Sequence, residues 1–371
     1  GVLRRSLRAH GLVDPVDTIG AATVAAAGIY GSAPTSHLGL AARLPDYTPA
    51  VLEEERLERR TIIRVVGMRG SVFLAPRELV PAVLALSRPR TVRRTLAGAG
   101  IDDAELERLM RLVEAGLVGS SLTAKEIRAR LGPDDPGGPL TTLVLRAMSH
   151  EGRIVAAEPV GGDYATAFRY ALMAEWAPLV APVPNKEAAL AEMAPIWMRA
   201  NGPGTIDDLA WWAGVTKRQA RDALVSMEAR PVVVEGLDGE QWASDEVIEE
   251  SGAAEVGGVI NLLPVWDAWL MARRERSRLL EPAHRPWVVD KSGNVANTIT
   301  LDGRIVGTWD IEGETLLVHR FARLELDAIE EAARRLRPVL DWMSVRDVSN
   351  PSPLDDGGQN AFRAPLRTPR V

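Results

Sequence analysis

Two hydroxyl side chains spaced two residues apart are the most suggestive chemical feature of this sequence. Tyr30 and Ser32 lie in a small polar turn that follows a predicted helix, Ile19–Tyr30. Both hydroxyls can donate and accept hydrogen bonds, so they could orient a water molecule, although neither supplies a carboxylate or an amide. His37 and Asp46 follow in the same stretch and could act as a base. The alternative for His37 is a half-buried helix residue with no chemical role.

Residues and motifs that are absent from the sequence exclude several kinds of chemistry. The chain has no cysteine, which rules out thiolate nucleophiles, disulfides and thiolate zinc sites. The five histidines, at positions 10, 37, 150, 284 and 319, lack the spacing of metal ligands. Walker and Rossmann glycine loops are also missing from the sequence. We therefore expect a protein that uses no metal and no cofactor.

The distribution of basic residues is more informative about possible nucleic-acid binding than the net charge of −6. Among the 44 basic residues, lysine occurs only at positions 125, 186, 217 and 291, and arginine supplies the rest. The arginines cluster around residues 4–8, 56–69, 88–94, 273–278 and 363–370. Each cluster alone is typical of a solvated helix face. Five of them in one chain favour at least one surface that faces phosphate groups.

The apolar residues indicate an ordinary globular protein. The hydrophobic fraction is 46%, and no apolar run approaches the length of a membrane span. The sequence favours a cytoplasmic monomer without membrane contact.

A pattern of two helices and a β-hairpin recurs along the chain. The first hairpin is predicted from Arg64–Gly67 and Ser71–Leu74. Such a unit is a winged helix, and we predict three of them in series. The first, together with the helices that follow its hairpin, occupies residues 1–118, the second occupies 119–185 and the third occupies 186–257. Asp-Gly and Ser-Gly turns between β-rich runs then predict an antiparallel β-barrel with a closing helix at 258–345. A flexible tail is expected at 346–371, and the predicted fold class is α+β.

The third unit contains the clearest local pattern. The segment DLAWWAGVTKRQARDAL, residues 208–224, has a glycine in the turn and Thr216 as the cap of a second helix. This is typical of a helix-turn-helix. One interpretation is a DNA-reading helix. The other is an architectural unit whose last helix packs on a neighbouring domain, because Trp211 and Trp212 need burial.

Several short motifs also occur in a distinctive order. They are Met68-Arg69-Gly70, Leu262-Leu263-Pro264, Trp266-Asp267, Glu275-Arg276, Asp302-Gly303-Arg304 and Gly307-Thr308-Trp309. This order resembles the AlkZ and YcaQ family of winged-helix DNA glycosylases over most of residues 1–345. The resemblance implies three winged helices and a β-barrel around a central concave channel. It also implies binding of double-stranded DNA and excision of bulky or crosslinking purine adducts.

The resemblance assigns roles to individual residues. In the family, a turn with Gln-x-Gln or Gln-x-Asp performs the hydrolysis, and these positions fall here on Tyr30 and Ser32. A hairpin that probes the duplex corresponds to Val289–Asn297, with Lys291 at its tip. The implied DNA contacts are Arg69, Arg276, Lys291, Ser292 and Asn294, and the implied supporting residues are Asp267 and Trp309. Asp267 has two interpretations: a catalytic residue, or a structural anchor hydrogen-bonded to Arg276.

Two functions remain open from the sequence. The first is a DNA repair glycosylase, a hydrolase for alkylation damage, of the kind that gives a producer self-resistance to its own genotoxic antibiotic. The second is a non-catalytic winged-helix DNA-binding protein on the same scaffold. The motif order favours the first function, and the missing glutamine pair favours the second.

Overall fold

The computed structural model describes residues 1–348 apart from 88, 163, 238 and 253–256, and also describes Leu354. The described residues within 1–30, 34–52 and from 193 onwards form a first compact unit, and those within 31–33 and 53–192 form a second. The division into four domains stays a prediction. Most of the predicted tail lies outside the described residues, although its start belongs to a strand, Ser344–Asp347. No helix in the described part of the chain is long and apolar enough to cross a membrane.

The described residues contain both helices and strands. The helices are α1 (Val2–Ala9), α2 (Ile19–Ala25), α3 (Thr35–Ala41), α4 (Pro49–Glu53), α5 (Val80–Ala85), α6 (Pro89–Gly98), α7 (Asp103–Leu117), α8 (Ala124–Leu131), α9 (Gly138–His150), α10 (Met173–Trp176), α11 (Lys186–Asn201), α12 (Ile206–Ala213), α13 (Lys217–Ser226), α14 (Asp245–Ser251), α15 (Ala268–Met271), α16 (Arg285–Val288) and α17 (Leu326–Ala333). The strands are β1 (Ile29–Tyr30), β2 (Ile62–Val66), β3 (Val72–Pro76), β4 (Leu122–Thr123), β5 (Ile154–Pro159), β6 (Phe168–Leu172), β7 (Arg230–Val232), β8 (Gln241–Ala243), β9 (Ile260–Leu263), β10 (Thr298–Leu301), β11 (Arg304–Glu312), β12 (Thr315–Arg320) and β13 (Ser344–Asp347). The mixed α+β class is confirmed.

The predicted helix over Ile19–Tyr30 is wrong in its second half. Helix α2 ends at Ala25, and the chain then passes through positive φ angles of 51° at Ala27 and 111° at Gly28. The indole N–H of Trp212 donates to the Ala27 carbonyl at 3.1 Å, which holds this turn in place. Tertiary contact thus overrides the helix preference of the alanine-rich run. As a result, Tyr30 lies on a short strand instead of at a helix end.

The second unit has a helical core and two small β structures. Helices α6 to α9 enclose an apolar cluster that includes Leu96, Leu109 and Met148. Strands β4, β6 and β5 form an antiparallel sheet in that order. Strands β2 and β3 form the antiparallel hairpin that the sequence predicted, displaced by one or two residues. The Gly31 N–H donates to the Val72 carbonyl at 2.8 Å, so the segment 31–33 lies against this hairpin.

Helices α12 and α13 of the first unit form the predicted helix-turn-helix. Thr205 and Thr216 each cap the helix that follows in a capping box. Gly214 ends α12 with a left-handed φ of 71°, a conformation that suits glycine. The outer face of α13 exposes Lys217 and Arg221 to solvent.

The C-terminal strands form a five-stranded sheet in the order β13-β12-β11-β10-β9. The predicted closed antiparallel barrel is not found among the described strands, because β13 and β9 are the two edges. Strand β13 pairs with β12 in parallel, whereas the other pairs are antiparallel. A parallel pair needs a crossover connection, and the segment with α17 provides it. The closing helix expected by sequence therefore serves as this crossover.

Candidate functional site

Tyr30 packs against a strained tryptophan in the first unit. Its half-buried ring lies 5.0 Å from the Trp266 ring, centroid to centroid, at an interplanar angle of 57°. Trp266 has a φ of 56°, which a bulky side chain rarely adopts. Strained backbone of this kind persists only where surrounding contacts enforce it, and it is common at functional sites. Tyr30, to which the family resemblance assigned a catalytic position, is thus in contact with the Trp266-Asp267 motif.

Trp266 is also joined to the predicted DNA-probing hairpin. Its indole N–H donates to the Asn294 side-chain oxygen at 3.1 Å. The backbone N–H and the amide nitrogen of Asn294 each donate to the Asp290 carboxylate at 2.8 Å. Because the amide nitrogen is committed to a carboxylate, its oxygen is left to accept from Trp266. A single chain of contacts therefore runs from Tyr30 to the hairpin.

The hairpin is short and presents polar residues to solvent. Val289 and Val295 form an antiparallel bridge that closes it. Lys291 and Ser292 are exposed at the tip, and Gly293 completes the turn with a φ of 86°. An exposed ammonium beside a hydroxyl is suited to contact phosphate oxygens. The structure therefore places three of the predicted DNA contacts, at 291, 292 and 294, in one place.

Asp267 lies in an ion pair that the sequence did not predict. Its carboxylate accepts two hydrogen bonds from Arg43, at 2.8 and 2.9 Å, and both side chains are buried. It also accepts from the Trp269 N–H at 2.9 Å and so caps α15. The structural interpretation of Asp267 expected Arg276 as its partner, and the structure shows Arg43 in that place. With its oxygens committed in this way, Asp267 is an anchor beside Trp266.

His37 is enclosed in the first unit. All residues of α3 are buried, His37 is 1% exposed, and its Nδ1 lies 2.6 Å from the Tyr47 hydroxyl. The expectation of a half-buried histidine is therefore corrected to a fully buried one. Asp46, the other candidate base, is exposed.

Ser32 belongs to the second unit, where it lies beside an arginine. Arg64 Nε donates to the Gly31 carbonyl at 2.7 Å, and its Nη2 lies 3.5 Å from the Ser32 hydroxyl oxygen. The same guanidinium lies over the Phe168 ring, 4.1 Å from its centroid. The guanidinium can donate to the Ser32 oxygen, which leaves the Ser32 O–H to donate elsewhere. The sequence placed Arg64 in a strand of the wing but gave no signal for this contact.

The remaining predicted site residues differ in exposure. Arg69 is half-buried in the turn between β2 and β3, with a left-handed φ of 57°. Arg276 is buried, and its Nε donates to the Leu270 carbonyl at 3.3 Å. Burial, followed by the charge of Arg285, lowers the pKa of Arg276 to about 10. This burial does not fit the DNA contact that the resemblance implied for Arg276.

Trp309 has a purely internal position. It is 1% exposed, and its indole N–H donates to the carbonyl of Leu263 at 3.1 Å, which links β11 to β9, the two strands on either side of β10. Its predicted role as a support agrees with this place in the core. Within the described residues, no three His, Cys, Asp or Glu side chains are grouped closely enough to hold a metal ion.

The structure has a mixed α+β fold in which Tyr30 is linked to a polar hairpin through Trp266. A family model described as "DNA glycosylase AlkZ-like" matches residues 24–339. This match covers most of the chain, and the protein belongs to the AlkZ-like DNA glycosylase family.

Two comparisons agree with this family. A curated relative from Streptomyces sahachiroi, called "Interstrand DNA cross-link repair glycosylase", is 25% identical over 298 residues. That match covers 74% of this chain and 77% of the relative. The solved structure of the Streptomyces sahachiroi DNA glycosylase AlkZ is similar with a TM-score of 0.78 at 21% identity, over 94% of this chain and 98% of that one. The structural likeness shows the fold.

Proposed function

We propose that this protein is a DNA glycosylase that excises bulky alkylated or crosslinked purines from double-stranded DNA. The contact chain from Tyr30 through Trp266 and Asn294 to the hairpin carries the proposal. It connects the position of the family's catalytic turn to exposed polar groups that suit a DNA backbone. Membership of the family supports the reaction class, and the name of the curated relative supports crosslinked DNA as the substrate.

The proposed reaction needs few catalytic groups from the protein. An N7-alkylated purine is a cationic leaving group, so loss of the base needs little acid catalysis. It needs an oriented water molecule and stabilisation of the developing positive charge on the sugar. In the proposal, the hydroxyls of Tyr30 and Ser32 orient this water. Because hydroxyls barely lower the pKa of water, cleavage is slow and restricted to adducts that are already unstable.

The buried residues have indirect roles in this proposal. His37 is enclosed and bound to Tyr47, so it supports α3 and does not reach the water. Asp267 is committed to Arg43 and positions Trp266. Lys291, Ser292, Asn294 and Arg69 are the proposed DNA contacts.

We also propose a finer architecture and a biological setting for this protein. Three winged helices in series would surround a channel for duplex DNA, with the C-terminal sheet carrying the probing hairpin. The protein would act as a cytoplasmic monomer. In a producer of a genotoxic antibiotic, it would confer self-resistance.

A second candidate function is a non-catalytic DNA-binding protein on this scaffold. The specific observation in its favour is the turn itself, since Tyr30 and Ser32 provide neither a carboxylate nor an amide. In addition, one face of the Tyr30 ring is occupied by Trp266. Such a protein would bind damaged duplexes without releasing a base.

An interstrand-crosslinked duplex separates these functions. A duplex joined through two N7-alkylguanines is incubated with the purified protein and run on a denaturing gel. The proposal predicts conversion of the slow crosslinked species to single strands that carry alkali-labile abasic sites. Binding in a gel shift without any unhooking would support the second function and contradict the first.

A further inference from the structure

Arg273 is a fully buried guanidinium in the first unit. It is 0% exposed, and none of its three side-chain nitrogens has a hydrogen-bond partner among the described residues. The chain around it is firmly held. The Ala272 carbonyl accepts from the Trp197 indole at 3.2 Å, and Arg274 N donates to Asp208 at 2.8 Å. A buried charge without compensation costs several kcal/mol, so this position calls for a partner.

Further side chains in the same neighbourhood have unused polar atoms. Arg5 Nη2, Asn201 Nδ2 and His10 Nδ1 are buried and lack hydrogen bonds within the described part of the chain. Asn201 is tied to this group by its oxygen, 3.3 Å from His10 Nε2. Burial lowers the pKa of His10 well below its usual value, and the nearby charges of Arg43, Arg273 and Arg5 lower it further. The unused atoms on Arg5, Asn201 and Arg273 are all hydrogen-bond donors.

Asp208, the carboxylate that acts on Arg273, does not neutralise the buried positive charge around it. Asp208 acts on Arg273, but its oxygens accept backbone N–H groups from Thr205, Arg274 and Glu275, and no ion pair joins it to Arg273 within the described residues. Arg278 donates to the Pro203 carbonyl and to Gln241, each at 2.8 Å, and both acceptors are neutral. Arg5 is paired with Glu250 at 2.7 Å, and Arg43 is paired with Asp267. Among the described residues, this leaves Arg273 and Arg278 against the single buried carboxylate of Asp208. This region of the interior therefore carries an excess of one positive charge.

The charge on Arg273 persists at neutral pH. Burial and then the charge of Arg278 lower its pKa to about 9, which still leaves the guanidinium mostly protonated. A cation surrounded by unused donors requires an acceptor that brings negative charge. Because Arg273 has no exposed surface, a DNA phosphate cannot be this acceptor.

We propose that a small inorganic anion binds in the interior of the first unit beside Arg273. The anion accepts from the Arg273 guanidinium, with Arg5 and Asn201 as further donors. Chloride and phosphate share the required chemistry, since both are compact anions that accept several hydrogen bonds. The site lies between α1, the end of α11 and the segment that follows α15. Its role is to neutralise a buried charge, and it does not depend on glycosylase activity.

Thermal unfolding in graded salts tests this site. Chloride or phosphate is added while gluconate, an anion too bulky for the interior, keeps the ionic strength constant. Anion binding to the folded state alone should raise the Tm of the wild type by about 4 °C with saturation. Arg273→Met should abolish this rise. Arg274→Met should keep it, because Arg274 is exposed and lies one residue away. An equal rise in wild type and both variants would overturn the proposal.

Bromide provides a second readout that needs no variant. Crystals of the wild-type protein soaked in bromide should show an anomalous peak within hydrogen-bond distance of the Arg273 nitrogens. Water density there without an anomalous signal would contradict the proposal. Neither readout uses DNA, so failure here leaves the proposed glycosylase function intact, and failure of that function leaves this site intact.

Discussion

The guanidinium of Arg43 and the carboxylate of Asp267 form a two-point ion pair between residues 224 positions apart in the chain. Nη1 and Nη2 donate to the two carboxylate oxygens at 2.9 and 2.8 Å. Arg43 also donates to the Gly39 carbonyl at 2.9 Å, and Asp267 caps α15. This pair fixes the backbone next to Trp266, whose ring contacts Tyr30.

Removal of one partner from this pair should destabilise the fold. Asp267→Ala leaves a buried guanidinium without its counter-ion, and we expect a loss of about 3–5 kcal/mol in the free energy of unfolding. The double variant Arg43→Met/Asp267→Leu should recover most of this loss, because it removes both charges. Chemical denaturation measures both effects. A fully stable Asp267→Ala that has lost only activity would instead make Asp267 a catalytic residue.

The Trp266 indole should matter for recognition of DNA damage through its hydrogen bond to Asn294. Trp266→Phe keeps an aromatic ring but removes the donor. A lost hydrogen bond of this kind predicts about three- to tenfold weaker binding to a duplex with a bulky purine adduct. Trp242→Phe is the control, since that indole donates at 3.0 Å to Glu240 instead. Fluorescence anisotropy would compare them, and equal affinities would refute a role for the Trp266–Asn294 link.

Lys291 at the hairpin tip should contribute a phosphate contact. Lys291→Ala should weaken duplex binding and reduce the slope of log affinity against log salt by about 1. Lys186→Ala removes an exposed lysine at the start of α11 and should leave the slope unchanged. Binding titrations between low and physiological salt provide the measurement. The same slope for wild type and Lys291→Ala would exclude the hairpin tip from the interface.

His150 in the second unit should make stability depend on acid pH. Burial, with a smaller effect of the Arg146 charge, lowers its pKa from 6.5 to about 4. The unfolded chain therefore binds a proton that the folded protein refuses between these values. The contribution of His150 to the free energy of unfolding is fully present above pH 6.5. It falls as the pH drops towards 4, by at most roughly 3 kcal/mol. Denaturation across this range should show a shallower loss for His150→Gln, and parallel curves would contradict this assignment.

Local signals allowed part of the fold to be predicted from sequence. The Thr216 cap and the glycine turn of the helix-turn-helix depend on residues within a few positions of each other, and the structure has them as predicted. The hairpin between β2 and β3 was visible for the same reason. The parallel pairing of β13 was not, because it depends on a crossover that no short-range pattern specifies.

The candidate site was less accessible from sequence. Tyr30 and the hairpin could be named from the order of motifs. The contact through Trp266 could not be predicted, because it requires a left-handed backbone conformation that tryptophan rarely adopts. Arg43 gave no signal, since its partner is distant in the chain. The burial of Arg276 could not be predicted, because an arginine cluster in the sequence does not reveal which of its members are buried.

A DNA glycosylase must release the free base from alkylated DNA. A duplex with a single bulky N7-alkylguanine is mixed with excess protein, and the free base is quantified by mass spectrometry over time. We predict release by the wild type above the spontaneous rate, a strong reduction in Ser32→Ala and a smaller one in Tyr30→Phe. Glutamine at both positions should raise the rate. Tight binding with release no faster than in buffer alone would contradict the glycosylase proposal.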